Sequence, residues 1–151
     1  DLTRPIRHED ETCTTTWRID QHYPMEKNSK DYPNQEWLSY GVLTPIDFYA
    51  LPYRCFYSKD IKNMFMAGRN ISVTHIALGS TRVMRTCGLI GEVVGMAAAV
   101  CARRDAMPRD VYTTYFEDLK ELMRKGTGRT DVPYTQFYHQ VDRTGHQAED
   151  R

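Results

Sequence analysis

Asn63-Met64-Phe65-Met66-Ala67-Gly68-Arg69-Asn70-Ile71-Ser72 and, after a single Val73, Thr74-His75-Ile76-Ala77-Leu78-Gly79-Ser80-Thr81-Arg82-Val83-Met84 form the stretch on which the fold turns. Its first five residues are a short apolar run closed by a glycine, the pattern of a buried strand ending in a turn. Gly79-Ser80-Thr81-Arg82 reads as a flexible loop in which Ser80 or Thr81 caps a helix running to about Arg103. Backbone N–H groups and the positive dipole end at such a helix start favour an electron-rich group, with Arg82 adding a cation.

The helix that follows carries more glycine than a helix needs. Gly88, Gly91, Gly95, Ala98 and Ala102 recur at intervals of three and four and line one face. Each interior glycine costs about 1 kcal/mol relative to alanine. The pattern therefore predicts a close approach on that face by another helix, a sheet backbone or a flat ligand. A Gly91-x-x-x-Gly95 pair also occurs in membrane helix dimers. Here Glu92 lies between the glycines, and Arg85 and Arg103 bracket an apolar stretch too short for a span of roughly 20 residues.

Downstream, Pro108 breaks the chain. A second helix is expected, with Thr114 and Glu117 as a capping box, a stripe of Tyr115, Leu119, Leu122 and Met123, and Gly126 as its stop. Upstream, Tyr49, Leu51, Tyr53, Cys55 and Tyr57 alternate around Pro52, which suggests an edge strand or extended segment. Thr14-Thr15-Thr16-Trp17-Arg18-Ile19-Asp20 is a shorter β-prone run. The rest of residues 1–39 is polar and punctuated by Pro24, Asn28, Ser29, Pro33 and Asn34 as loop.

With 151 residues, 40% hydrophobic and 26% charged, the chain can bury one core. Twenty basic residues balance twenty acidic ones, which removes the electrostatic argument for nucleic acid or an anionic membrane as partner. Cys13, Cys55, Cys87 and Cys101 match neither a zinc ribbon nor a redox pair. His8, Cys13 and His22 have irregular spacing and no fourth ligand, so no metal is expected.

Leu51-Pro52-Tyr53-Arg54-Cys55 and the two blocks 63–72 and 74–84 resemble the C-terminal end of FAD-dependent oxidoreductases related to the fumarate reductase flavoproteins and the glutathione-reductase-type fold. The resemblance is continuous from about Tyr49 to Gly126, with a weaker echo at Trp17-Arg18-Ile19-Asp20-Gln21-His22. It implies an α/β fold that is the C-terminal part of a two-domain FAD enzyme. Residues 1–57 would end the substrate domain, 58–126 would close the FAD domain, and 127–151 would be a tail. FAD would lie against Gly68, Arg69 and Asn70 near its ribityl and pyrophosphate portion. Gly79, Ser80, Thr81, Arg82, Val83 and Met84 would face its pyrimidine edge. Many relatives in the wider fold carry an acidic residue after the glycine, where this chain has Arg69. The glycine face would pack on the FAD-domain sheet.

A G-x-G-x-x-G turn, the grip on pyrophosphate and ADP ribose, is absent from this sequence. The resemblance places that element upstream, so Asp1 is expected to lie inside a longer polypeptide whose N-terminal dinucleotide-binding segment completes the site. His75 and His22 are the candidate acid/base residues for hydride transfer between a small organic substrate and FAD. Asp20, Tyr53 and Arg54 are candidate substrate contacts. The rival expectation is a non-enzymatic carbohydrate- or protein-binding module, with Trp17, Trp37 and Tyr49 as stacking aromatics.

Overall fold

A computed structural model describes residues 2–4, 6–24 and 39–127. Trp37, the turn residues from Asn28 to Asn34 and the tail beyond 127 lie outside them. Strands β1 (Glu11–Thr15), β2 (Ile19–Pro24), β3 (Ser39–Thr44) and β4 (Tyr49–Pro52) precede a 3-10 turn (Tyr53–Phe56). Four helices follow: α1 (His75–Thr81), α2 (Met84–Arg104), α3 (Pro108–Thr113) and α4 (Phe116–Lys125). The strands form two antiparallel pairs, β1 with β4 and β2 with β3. The architecture is mixed α/β.

The 14–20 run splits into the end of β1 and the start of β2, with Trp17 in the break. Every residue of β4 is buried, and the alternation that begins there ends at Pro52, where the chain coils into the 3-10 turn. Proline supplies no N–H to extend a ladder, which is why the strand stops.

One core unites these pieces. Helix α2 presents Leu89, Ile90, Val93, Ala97 and Val100 to Cys13 of β1, to Tyr53 and Phe56 of the 3-10 turn, and to Val111, Leu119 and Met123 of the last two helices. Residues on both sides of the expected 57/58 boundary share it. By length and apolarity alone α2 could cross a membrane, but its apolar stripe is the centre of this core.

Four expectations need correction. The 63–67 run is not a buried strand: Asn63 and Met64 are exposed, and Phe65 makes a single antiparallel bridge with Tyr57. Among the described residues no second strand flanks it, so no ladder extends the bridge. Ser80 and Thr81 do not cap the long helix; they end the buried last turn of α1, and α2 starts at an N-cap of Val83 with no side-chain cap. Thr114 and Glu117 form no capping box either. The box lies earlier: Pro108 is at the start of α3, and the Asp110 carboxylate accepts from the Met107 N–H at 2.8 Å. Finally, among the described residues nothing lies within 4 Å of a side chain added at Gly88, Gly91 or Gly95, so the glycine face is open.

The glycine that does permit a close approach is Gly79. A Cβ there would stand 2.7 Å from the Asp20 carbonyl oxygen and 3.0 Å from the Asp20 nitrogen, both backbone atoms that cannot swing aside. Gly79→Ala is expected to destabilise the protein by about 1–3 kcal/mol through overpacking, although alanine is the better helix former. Gly95→Ala, in open space among the described residues, is expected to stabilise residues 1–151 taken alone by about 0.5–1 kcal/mol. Opposite shifts in thermal midpoint check the pair; equal shifts would refute the contact between α1 and β2.

Candidate functional site

Strand periodicity places Asp20 and His22, two residues apart on β2, on one face of the sheet. His22 pairs across with Gly41 of β3. Its ring lies over that glycine, with Cε1 3.7 Å and Nδ1 3.9 Å from where a Cβ would stand. His22 Nε2 is 3.0 Å from Asp20 Oδ1. From the end of α1, Arg82 Nη2 donates to the Asp20 carbonyl at 3.2 Å and reaches Asp20 Oδ2 at 3.5 Å. The close approach at Gly79 sets this distance, because it seats the helix end on the Asp20 backbone. The Asp20 side chain is 20% exposed and His22 47%, so the carboxylate is sheltered while the imidazole meets solvent.

A second convergence lies at the start of α2. Gly68 has φ +94°, a left-handed conformation that favours glycine. A Cβ built on it would be 4.0 Å from Cys87 in the first turn of α2. The end of the 63–68 run therefore meets the start of the long helix, and Arg82 ties that helix start to Asp20 and His22. Met84, the first residue of α2, is 88% exposed. Asp20, His22, Gly68, Gly79, Arg82, Val83 and Met84 are thus linked into one region. Arg69 and Asn70 follow on the surface beside Gly68.

Other candidates are engaged elsewhere. Ser80 Oγ donates to the Trp17 carbonyl at 2.6 Å, and Thr15 Oγ1 donates to the Ser80 carbonyl at 3.1 Å. Thr86 Oγ1 lies 3.2 Å from Thr15 Oγ1, and Thr81 Oγ1 donates to the Ala77 carbonyl at 3.3 Å. Ser80 thus locks α1 to β1, Thr81 bonds within α1, and both hydroxyls face into the fold. Tyr53 is a core residue whose hydroxyl donates to the Pro108 carbonyl at 2.7 Å, and burial drives its pKa upward. It touches no solvent and so offers no surface to a substrate. Arg54 clamps the buried Asp10. His75 is exposed on the first turn of α1, where Thr74 caps the Ala77 N–H at 3.3 Å.

Thiol chemistry is not on offer at Cys13 or Cys55. Burial pushes their pKa values up to about 12 and about 11, far from the thiolate range at neutral pH. Among the described residues no three His, Cys, Asp or Glu side chains are grouped to hold a metal ion. His8 contacts Tyr49 at 3.1 Å, and Cys13 is buried in the core.

Sequence reading pairs His22 with Asp20 and names Arg82 apart, and it missed that the three form one cluster. The i, i+2 spacing within a β-prone run is the signal that pairs Asp20 with His22. Nothing local announces Gly41, which becomes relevant only through the register of β2 on β3.

A family model described as FAD dependent oxidoreductase matches residues 1–123. No curated protein and no solved structure matches the chain.

Proposed function

The chain belongs to the FAD-dependent oxidoreductases, and from that premise we propose that the Asp20–His22–Arg82 cluster handles the substrate proton in a hydride transfer between a small organic molecule and FAD. The observation that carries the reading is the 3.0 Å contact of His22 with a carboxylate that Arg82 holds at the head of α2.

The residues present fit the flavin on two counts. Val83 caps α2 with no side-chain hydrogen bond, so the first N–H groups of a 21-residue helix are not consumed by a side-chain cap. Gly68, with its positive φ, brings the backbone close to that same helix start. Met84, Val83 and the helix N-terminus would hold the pyrimidine edge, while Gly68, Arg69 and Asn70 would lie along the ribityl and pyrophosphate portion. Ser80 would act from behind by fixing α1 on β1, and Thr81 by closing the last turn of α1. FAD, when bound, supplies the hydride acceptor, chemistry no side chain provides.

The chain's own residues then divide the remaining work. Nε2–H donation to Asp20 makes Nδ1 the basic nitrogen of a neutral His22. That nitrogen takes the proton from the substrate as the hydride departs, so the substrate loses one hydride and one proton. Asp20 fixes the ring orientation and stabilises the imidazolium. Arg82 fixes Asp20 and adds positive charge near the helix start. His75 has neither carboxylate nor cation to set its ring among the described residues, and His22 is therefore the preferred acid/base.

The open glycine face of α2 and the single bridge at Phe65 support a further part of the reading. An N-terminal dinucleotide-binding segment of the same polypeptide would pack there and grip the ADP half of FAD. Tyr49, expected to stack on sugar in a binding module, is buried, and no observation favours that alternative. The test is flavin absorbance after desalting: the polypeptide with its dinucleotide-binding segment should retain FAD, and residues 1–151 alone should not. FAD kept by residues 1–151 alone would refute the need for that segment.

A further inference from the structure

An open cleft of about 540 Å³ lies away from the Asp20 cluster and shares none of its residues. Its wall carries Arg54, Lys59 and Arg109, with Tyr57, Asn70 and Ser72 among the polar groups between them, and it includes no carboxylate. In a chain of zero formal net charge, three cations on one wall are a local concentration.

Two of the three cations are held in place. Arg54 donates through Nε and Nη2 to the buried Asp10 beneath it, at 3.1 and 2.9 Å, and lies 5.5 Å from the Tyr112 ring centre. Those bonds use two of five guanidinium N–H groups. Arg109 donates from Nη2 to the Lys59 carbonyl at 2.9 Å and sits 5.8 Å from the Tyr57 ring centre. Among the described residues no carboxylate pairs with Lys59 or Arg109. Burial raises the Tyr57 pKa and Arg109 pulls it down, while the buried Asp10 and its partner Arg54 act in opposite directions, so Arg109 is the leading cation at the phenol. Fixed donors lose less freedom on binding than mobile ones.

We propose that this cleft binds the phosphate or pyrophosphate group of a small soluble metabolite. One guanidinium suffices for a planar carboxylate through a two-point fork. Cations contributed by the 3-10 turn, the loop after it and the first turn of α3 suit a tetrahedral group with acceptors on several sides. The volume falls within the usual range for small-ligand sites, roughly 300–1,000 Å³. The three cations are independent of the flavin reading, but Asn70 belongs both to this cleft and to the residues assigned to FAD above, so the test includes FAD-free protein.

The test is calorimetric titration of inorganic pyrophosphate, with phosphate as the smaller probe, into the FAD-loaded protein at constant ionic strength. Binding should weaken about tenfold or more in Arg109→Gln and in Lys59→Gln, the loss expected for one charge-assisted hydrogen bond. Lys59 is exposed and, among the described residues, its side chain makes no hydrogen bond or ion pair, so it guards against misreading a folding defect in Arg109→Gln. The flavin spectrum should be unchanged in both. Unaltered affinity in both variants, or displacement by chloride at equal ionic strength, would overturn the site. Binding seen only in FAD-free protein would also overturn it, by assigning the cleft to the cofactor's own pyrophosphate.

Discussion

Arg54→Met should lower the unfolding free energy by about 3 kcal/mol, the lower end of the roughly 3–5 kcal/mol measured when one partner of a buried ion pair is removed. The Asp10 side chain is fully buried. Its carboxylate accepts from the Arg54 backbone N–H at 3.0 Å and from the guanidinium at 3.1 and 2.9 Å. Methionine keeps the backbone bond and most of the packing volume but removes both charge-assisted bonds. Arg54 itself is 45% exposed, so solvent already screens the pair and the attraction lost is modest. The larger cost is the carboxylate left inside without its cation. That asymmetry gives the control: Arg54→Met combined with Asp10→Leu should recover much of the loss, because the orphaned charge is gone. Chemical denaturation of the three variants measures it. An Arg54→Met protein within 0.5 kcal/mol of the parent, a bound of the order seen for exposed pairs, would make the clamp a surface contact with no structural weight.

The same residues show what a linear sequence reveals and what it withholds. The long helix was legible to within one residue at its end and two or three at its start, where the cap expected at Ser80 or Thr81 falls at Val83. Leu119, Met123 and Gly126 likewise behave as stripe and stop in α4. The short helix α1 was not legible. Gly79 and the hydroxyl pair after it argue locally for a loop, and what holds them helical is tertiary: the Asp20 backbone against Gly79 and the Thr15–Ser80 bonds. The 63–67 run shows the opposite failure. Its composition suits a strand, but a strand needs a flanking ladder, and the described residues supply one bridge. Tyr53 and Arg54 attracted functional readings through residue type alone. Their roles, core packing and a clamp on Asp10, depend on a partner more than forty residues away in sequence, which no local pattern encodes. For the cleft, Arg109 and Lys59 are fifty residues apart, and neither lies in a motif.

His22→Gln should leave FAD bound and slow flavin reduction by substrate about 100- to 10,000-fold, the usual contribution of a positioned acid/base. Glutamine can donate one amide N–H to Asp20 in place of Nε2–H, so the carboxylate keeps a partner, but an amide cannot take up a proton at neutral pH. The space over Gly41 admits the change, since the ring rests at ordinary contact distance. A structural histidine gives a different pattern: loss of stability with an unchanged reduction rate once flavin is saturated. Asp20→Asn refines the assignment. It keeps the size of the side chain, removes the charge that stabilises imidazolium and disturbs the ring's tautomer, so it should slow reduction by less than His22→Gln. His75→Gln is the internal comparison. The exposed His75 should reduce flavin near the parent rate when substituted, because nothing in the described fold sets its ring. Stopped-flow reduction at saturating FAD ranks the three variants. Parent-like reduction in His22→Gln with a large loss in His75→Gln would transfer the proton to the head of α1, and the Asp20–Arg82 pair would then be left with the structural task of fastening α1 to β2.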